Sequence, residues 1–275
     1  MRALALIARK EVQEGLRNRW VIAIAALLAI FALTLGFLGA TPTGVVKVSP
    51  LAVTIVSLSS LSIFLLPLIG LLLSYDTIIG EWDRGTLALL LAYPVTRWQV
   101  ILGKFAGHLC ILTIATVVGY GAAGTALAIT SNASADAWTA FAAMTGSSVL
   151  LGAVFVAIGY VISALVRDRA AAGGIAIGVW LLLVVVYDMA MLGALVADQG
   201  RTLDAAAVSW MLLINPADAY RLLNLADTSL VSAFAGVAGL SAQAGLSPAA
   251  SIASLTLWTI VPLATATFLF ARRQL

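Results

Sequence analysis

The stretch DTIIGEWDRGTLALLLAYPVTRWQVILGKF, residues 76–105, interrupts a chain that is otherwise mostly apolar. It combines charged residues, a Gly-Thr pair, a Tyr-Pro pair and two tryptophans. The whole chain is 62% hydrophobic and only 10% charged, with a mean hydropathy of +1.08, whereas globular proteins carry about 25% charged residues. The composition therefore indicates an all-α, polytopic membrane protein in which residues 76–105 connect two spans.

Six segments are apolar over about 18 residues or more, which is the length that a membrane-spanning helix requires. They are residues 20–40, 51–75, 105–130, 138–166, 170–197 and 249–271. The sequence thus predicts six transmembrane helices in a single membrane domain, residues 1–275.

Lys and Arg residues indicate the orientation of these spans, because cytoplasmic flanks carry an excess of positive charge. If the N-terminus is cytoplasmic, twelve of the fifteen Lys and Arg residues lie inside, and only Lys47, Arg201 and Arg221 lie outside. We therefore predict an N-in, C-in topology. The net charge of +3 reflects this distribution, and no nucleic-acid partner is expected.

Residues 1–19 precede the first span and carry apolar residues at spacings of three and four. These residues are Leu4, Ile7, Ala8, Val12 and Leu16. The pattern predicts an amphipathic helix that lies on membrane lipid at the cytoplasmic interface. The alternative is a basic flank that only anchors the orientation.

A second unusual segment, residues 198–248, falls on the outer side and mixes apolar with polar residues. Asn215 followed by Pro216 is typical of a helix start, with Asn215 as the N-cap. We predict short re-entrant or interfacial helices here. The alternative is a seventh span at residues 229–246, which would place the C-terminus outside.

Residues 76–104 should form a helical hairpin at the cytoplasmic surface, between the second and third spans. The pattern is helical up to Pro94, which stops the first helix, and a second helix follows with Arg97, Trp98 and Lys104 at headgroup depth. Such a hairpin can bind a soluble partner.

Residues that could support catalysis are scarce. His108 and Cys110 are the single histidine and the single cysteine, and at a spacing of two they do not share a helix face. The chain has no P-loop motif and no zinc-protease motif. We therefore expect neither an enzyme nor a bound cofactor. Three residues are candidates for an intramembrane role, namely Asp188 as an interfacial or partner-facing acid and Met189 and Met191 as packing residues or thioether ligands.

The hairpin sequence resembles the permeases of the ABC-2 class of ATP-binding cassette transporters. From Glu81 to Lys104 it fits the pattern E-x-x-x-G-T-L-x-x-L-L-x-x-P-V-T-R-x-x-x-I-x-G-K. The amphipathic N-terminus and the broken segment before the last span are also similar to that class. Within it, three stretches resemble the permeases that serve maturation of the copper centres of nitrous oxide reductase: RKEVQEGLRNRW, residues 73–104 and LINPADAYRLL.

The resemblance implies a homodimer in the bacterial inner membrane, two cytosolic ATPase subunits that bind ATP and Mg²⁺, and a periplasmic accessory protein. It implies contact with the ATPase through Glu81, Trp82, Asp83, Arg84, Gly85 and Thr86 and through Arg167, Asp168 and Arg169. It implies contact with the outer partner through Asp218, Arg221 and Asp227. What crosses the membrane stays open between copper, a sulfur species and a conformational signal.

Two other classes of function are compatible with the sequence. One is a membrane scaffold that transmits movement without a substrate path, which the scarcity of polar residues in the spans favours. The other is a channel or carrier that works without ATP, which the absence of internal repeats and charge relays disfavours.

Overall fold

The computed structural model describes residues 2–17, 19–38, 50–130, 134–198, 205–225 and 247–272. Every regular element in these residues is helical, so the predicted all-α class is confirmed. The elements are α1 (Arg2–Arg17), α2 (Arg19–Leu38), α3 (Pro50–Ser74), α4 (Ile79–Asp83), α5 (Thr86–Leu91), α6 (Arg97–Thr130), α7 (Ala135–Leu165), α8 (Arg169–Leu181), a π-helical segment (Leu182–Val186), α9 (Tyr187–Asp198), α10 (Ala205–Ile214), α11 (Pro216–Leu225) and α12 (Pro248–Arg272).

Among the described residues, five helical stretches are long and apolar enough to cross a membrane. They are Leu51–Asp83, Arg97–Ile129, Ala135–Leu165, Arg169–Asp198 and Pro248–Arg272. A sixth is reached when the bent pair Ala3–Arg17 and Ile22–Leu35, with a bend of 68°, is included. The predicted apolar segments overlap these helices, and the described residues contain five or six candidate spans.

The helix α7 is the centre of the bundle and packs most extensively against α3 and α12. Within the apolar 18-residue stretch of each span, 78% is buried in α7, whereas 17% is buried in the span from α8 to α9 and 17% in α12. Glycines bring α3 and α7 close together, because a Cβ at Gly70 would lie 2.9 Å from the carbonyl oxygen of Gly152. Small residues of this kind allow helices to pack in lipid, where no hydrophobic force drives them together.

The N-terminal helix α1 packs against the start of α6. Its amphipathic character is as predicted, and Ile7 is buried against Gly103. Leu16, which the pattern assigned to the apolar face, is 47% exposed. The buried face follows Leu4, Ile7, Ala8 and Glu11 instead, so α1 is fastened to the bundle on one side and presents the other side outward.

One end of the bundle gathers α1, the hairpin and the end of α12, and we call it the hairpin end. Arg97, at the start of α6, donates from Nη1 to the carbonyl oxygens of Phe270 at 2.9 Å and Ala271 at 3.0 Å. These carbonyls belong to the last turn of α12, where no backbone partner is available. The helix α1 and the last turn of α12 therefore lie at the same end of the bundle.

The opposite end, which we call the far end, carries α10 and α11. Asn215 caps α11 as predicted, since its Oδ1 accepts from the backbone N–H of Ala217 at 3.1 Å and Pro216 occupies the first helical position. The described part of residues 198–248 thus contains two short helices. The proposed seventh span at 229–246 and Asp227 lie outside the described residues.

Candidate functional site

The sequence predicted a first helix that continues up to Pro94, but the structure divides it at Arg84 and Gly85 into α4 and α5, and α6 begins at Arg97. From here on the hairpin means α4, the tight turn at Gly85 and α5. Gly85 has a φ of 69°, a conformation that glycine adopts at little steric cost, and its N–H donates to the carbonyl of Trp82 at 2.9 Å. The turn exposes Asp83, Arg84 and Thr86, and Trp82 is 37% exposed. Five of the six hairpin residues expected at the ATPase contact, Trp82 through Thr86, therefore form an exposed tip.

Glu81, the sixth hairpin residue, is in a different position, because it is only 8% exposed. Its Oε1 accepts from the ammonium of Lys104 at 2.7 Å, and the same ammonium donates to Oε1 of Glu11 at 2.5 Å. Lys104 is itself only 4% exposed. The structure thus places Glu81 in an ion pair inside the chain, where it fastens the hairpin to α6 and α1 instead of facing outward.

We name Glu11, Glu81, Lys104 and His108 the lysine cluster. His108 Nε2 lies 3.6 Å from Oε2 of Glu11, and its Nδ1 is 2.9 Å from the hydroxyl of Tyr160. The histidine is therefore buried and hydrogen-bonded, whereas Cys110 is exposed, as their spacing of two predicts. In the described part of the chain no group of three His, Cys, Asp or Glu residues could hold a metal ion.

The start of α4 is completed by a distant serine. The hydroxyl of Ser163, on α7, accepts from the backbone N–H groups of Ile78 at 2.9 Å and Ile79 at 3.2 Å. The residue before α4, Ile78, provides no side-chain cap of its own. Since the first N–H groups of a helix have no partner within that helix, Ser163 takes the role of a cap across two elements.

The second short loop at the hairpin end contains Arg167, Asp168 and Arg169. Asp168 caps α8, because its Oδ2 accepts from the N–H of Ala171 at 2.7 Å. Arg169 forms an ion pair with Asp76 at 2.6 Å, and Arg167 is exposed. The Arg169–Asp76 pair joins this loop to the base of the hairpin, so the two predicted contact regions lie side by side.

At the far end, Asp188, Asp218 and Arg221 come together, and we name them the arginine cluster. Arg221 donates to both carboxylate oxygens of Asp188, at 2.8 and 3.0 Å, and to Oδ1 of Asp218 at 2.6 Å. The sequence predicted an intramembrane role for Asp188 and contact with an outer partner for Asp218 and Arg221. The structure instead joins them in one network, and their contact with an outer partner remains a prediction.

The arginine cluster borders the π-helical segment between α8 and α9. Asn215 Nδ2 donates to the carbonyl of Leu183, inside that segment, at 2.7 Å and to Oδ2 of Asp218 at 3.0 Å. Tyr187 donates to the carbonyl of Met211 at 2.6 Å. A π-helical turn changes the regular backbone pairing. Here the Asn215 side chain binds to that turn, and Tyr187, which directly follows it, binds to the backbone of α10.

The two candidate methionines do not form a pair of ligands. Met189 is 62% exposed and Met191 is 3% exposed, so their thioethers lie on different sides of α9. This arrangement supports packing at Met191 and gives no support to a shared soft-metal site at this position.

The arginine cluster predicts a dependence of stability on pH. Burial raises the pKa of the Asp218 carboxyl from 3.8 to about 6, with Arg221 opposing the shift, Asp188 adding to it and Asn215 opposing it. The folded chain therefore holds a proton that the unfolded chain releases near pH 4. This contribution to stability is complete below about pH 4 and is lost as the pH rises through about 6.

We expect the free energy of unfolding in detergent to fall by about 1 to 3 kcal/mol between pH 4 and pH 6.5 from this group. The measurement is the unfolding midpoint across that range for the wild type and for Asp218→Asn, which cannot titrate. The variant should show a flatter slope. An identical slope in both proteins would contradict the assignment to Asp218.

Sequence reasoning missed the lysine cluster. A signal existed in Glu11, which lies three and four residues from Ala8 and Ile7 and so puts an acid on the apolar face of α1. Lys104 was placed at headgroup depth, and Glu81 was placed at the surface. That these charges meet depends on how α1, α4 and α6 pack, which no single helix pattern contains.

Comparison with known proteins agrees with the resemblance seen in the hairpin. Residues 5–275 match the model of a family described as ABC-2 family transporter protein. The chain is 44% identical over 271 residues to the probable ABC transporter permease protein NosY of Pseudomonas aeruginosa, covering 98% of each chain. It is 43% identical over 269 residues to the protein of the same name from Stutzerimonas stutzeri, covering 97% of each.

Proposed function

Since the chain belongs to the ABC-2 family of transporter proteins, we propose that it works as the permease half of an ATP-driven transporter, as a homodimer with two cytosolic ATPase subunits. It is a multi-pass membrane permease with bacterial relatives, and ATP hydrolysis resides in a partner chain. ATP and Mg²⁺ are accordingly bound by the partner. The observation that carries the proposal is the exposed hairpin tip, held on a buried ion pair, within a chain of this family.

The proposed topology places the hairpin end in the cytosol. The N-terminal helix, the hairpin and the end of α12 share that end, and the Lys and Arg residues concentrate there. Cytoplasmic flanks of bacterial membrane proteins carry such an excess. The arginine cluster then lies toward the periplasm, where we propose that an accessory protein binds.

The ATPase contact comprises the exposed tip, residues 82–86, together with the neighbouring loop at Arg167, Asp168 and Arg169. Glu81 is buried next to the tip, and its bond to Lys104 holds the hairpin on α6. A force applied to the tip is thereby transmitted to α1 and α6. Reversal of Glu81 to Lys would place two cations together in the interior, so that variant tests folding rather than contact.

The biological setting proposed is maturation of the copper site of nitrous oxide reductase. It rests on the similarity to two NosY permeases and on the resemblance of residues 9–20, 73–104 and 213–223 to that class. The accessory protein would be the periplasmic partner of that pathway.

A mechanical transmitter without a substrate path is the second candidate function. In the described helices two pairs of buried hydroxyls bond to each other, Ser62 with Tyr120 and Ser148 with Tyr220, and the buried hydroxyls of Ser62 and Ser74 donate to carbonyls of their own helix. No group of metal ligands lies among the described residues either. Both observations favour a chain that conveys movement to an outer partner over one that conducts a metal ion.

Charge exchange at the tip tests the ATPase contact. We expect Asp83→Arg combined with Arg84→Glu to reduce co-purified ATPase by about tenfold or more, because opposed like charges disfavour an interface. Both residues are exposed, so folding should be retained. The measurement is the ratio of ATPase to permease after affinity purification from membranes.

Asp136→Arg is the matched control, since Asp136 is an exposed acid at the opposite end of α7. It should leave the ratio unchanged. If the tip variant retained the wild-type ratio, contact through residues 82–86 would be excluded.

A further inference from the structure

The central helix α7 binds the hairpin near its C-terminal end, through Ser163, and the far-end helix α11 near its middle, through Ser147 and Ser148. Its 31 residues are continuous from Ala135 to Leu165. Ser148 and Ser163, which make the two attachments, are separated by roughly 22 Å along the axis at 1.5 Å per residue. One helix thus connects the two regions that the proposed function assigns to different partners.

At the hairpin end the attachment is through Ser163, which accepts both N–H groups at the start of α4. Ser163 is fully buried, and so are Ile78 and Ile79. Water cannot readily replace this serine as the acceptor, because unpaired buried N–H groups are costly. The start of α4 is therefore held to α7 whenever the hairpin is folded as described.

At the far end the attachment is through Ser147 and Ser148. The hydroxyl of Ser148 lies 2.8 Å from that of Tyr220, and the hydroxyl of Ser147 donates to Oδ1 of Asn224 at 3.0 Å. Tyr220 is 0% exposed. Two successive residues of α7 thereby hold two positions one turn apart on α11, which fixes both its distance and its rotation.

Between the two attachments α7 is packed too closely against α3 to slide along it. A Cβ at Gly159 would lie 2.0 Å from Oγ of Ser74, and one at Gly70 would lie 2.9 Å from the carbonyl of Gly152. Closely packed interiors transmit displacement instead of absorbing it. By contrast, the span that begins with α8 is largely unburied and contains the π-helical segment.

We propose that α4, α7 and α11 move as one body, so that a displacement of the hairpin appears directly at the far end, with Ser163 and Tyr220 as the positioning residues. Arg221 then passes the displacement from α11 to Asp188 on α9.

The helix α8 is attached through the Arg169–Asp76 ion pair, in which Arg169 is 53% exposed, and through the bond from Trp180 Nε1 to the carbonyl of Phe64 at 3.0 Å. In the proposed movement these two attachments yield, and the π-helical segment allows α9 to follow α11 while α8 moves relative to the hairpin. This inference rests on the proposed function, since it requires an ATPase that moves the hairpin.

Distances between spin labels test the proposal in the intact complex with its ATPase. One label replaces Leu89, which is 69% exposed on α5, and the second replaces Leu223, which is partly exposed on α11. Position 89 reports on α4, because Thr86 Oγ1 at the start of α5 donates to the carbonyl of Glu81 on α4 at 3.3 Å. A second pair of labels, for comparison, is placed at position 89 and at Ile177, which is 48% exposed on α8. Cys110 is replaced by alanine, and labelled chain is diluted so that each dimer carries one labelled copy.

Between the nucleotide-free and ATP-bound states, the distance from 89 to 223 should change by no more than about 2 Å, while that from 89 to 177 changes by more. In Tyr220→Phe, which removes one hydroxyl oxygen, the 89–223 distance should become dependent on nucleotide although ATPase is still bound. In Ser163→Thr, which keeps a hydroxyl, the 89–223 distance should stay independent of nucleotide, as in the wild type. In Ser163→Ala it should depend on nucleotide, as in Tyr220→Phe.

An 89–223 distance that changes with nucleotide in the wild type overturns the proposal. So does an 89–177 distance that stays constant in a complex that hydrolyses ATP, because no relative movement would then exist. Failure of the ATPase to co-purify is a separate result, and it contradicts the proposed function before any distance is measured.

Discussion

Replacement of Lys104 by methionine is expected to lower the free energy of unfolding by about 3 to 5 kcal/mol, because removal of one partner from a buried ion pair leaves uncompensated charge. Lys104 is 4% exposed and bonds to Glu11 and Glu81. One carboxylate oxygen of Glu81, Oε2, has no hydrogen-bond partner among the described residues. Without the ammonium, two carboxylates would face each other in the interior.

The measurement is the unfolding midpoint of the purified chain in detergent. Lys10→Met is the matched control, since Lys10 pairs with Glu14 at 3.3 Å while both side chains are more than half exposed, and such pairs contribute about 0 to 1 kcal/mol. Adding Glu11→Gln and Glu81→Gln to Lys104→Met should restore much of the stability. Equal effects of Lys104→Met and Lys10→Met would show that the lysine cluster is not buried as described.

Alanine at Gly159 is expected to cost about 1 to 3 kcal/mol, which is typical of overpacking in a well-packed core. Its Cβ would lie 2.0 Å from Oγ of Ser74 and 3.0 Å from Cβ of the same residue. Ser74 cannot turn away freely, because its hydroxyl donates to the carbonyl of Gly70 at 2.7 Å. The helices α3 and α7 would have to separate.

Gly146 supplies the control on the same helix, since a Cβ there meets nothing within 4 Å among the described residues. Gly146→Ala should be neutral or stabilising by up to about 1 kcal/mol, through helix propensity alone. Because both variants replace glycine by alanine within α7, the effect of helix propensity is the same in each. The difference in stability between them therefore reports the contact between α3 and α7. If both variants were equally stable, the close approach of α3 and α7 would be refuted.

The positions of the long helices could be predicted because each is encoded by its own residues. A run of apolar residues such as 138–166 is read without knowledge of any other part of the chain, and α7 spans Ala135–Leu165. The same holds for the start of α11, where Asn215 and Pro216 act on their own helix. Local signals of this kind are sufficient for helix position.

The charged clusters could not be predicted, because their partners are far apart in the sequence. Glu11 and Lys104 are 93 residues apart, and Arg221 and Asp188 are 33 apart. A charge seen in isolation next to a span is placed at the surface by default, as Glu81 was, since burial of an unpaired charge is costly. The pairing that makes burial possible becomes visible only when the helices are packed.

The two clusters share an arrangement, with two carboxylates around one cation at each end of the bundle. In each cluster the cation joins a short helix to a longer span, since Lys104 holds α4 on α6 and Arg221 holds α11 on the span that contains α9. These two short helices belong to the regions that the proposed function assigns to partner proteins. Ion pairs therefore lie at both junctions through which movement would pass.

Purification of the chain from bacterial membranes, under conditions that keep complexes intact, decides whether an ATPase accompanies it. The mass of the intact complex and its rate of ATP hydrolysis are measured together. We expect two copies of this chain with two ATPase subunits, and hydrolysis that is lost with Asp83→Arg and Arg84→Glu. A chain that purifies alone and supports ion flux in vesicles without ATP would contradict the permease assignment.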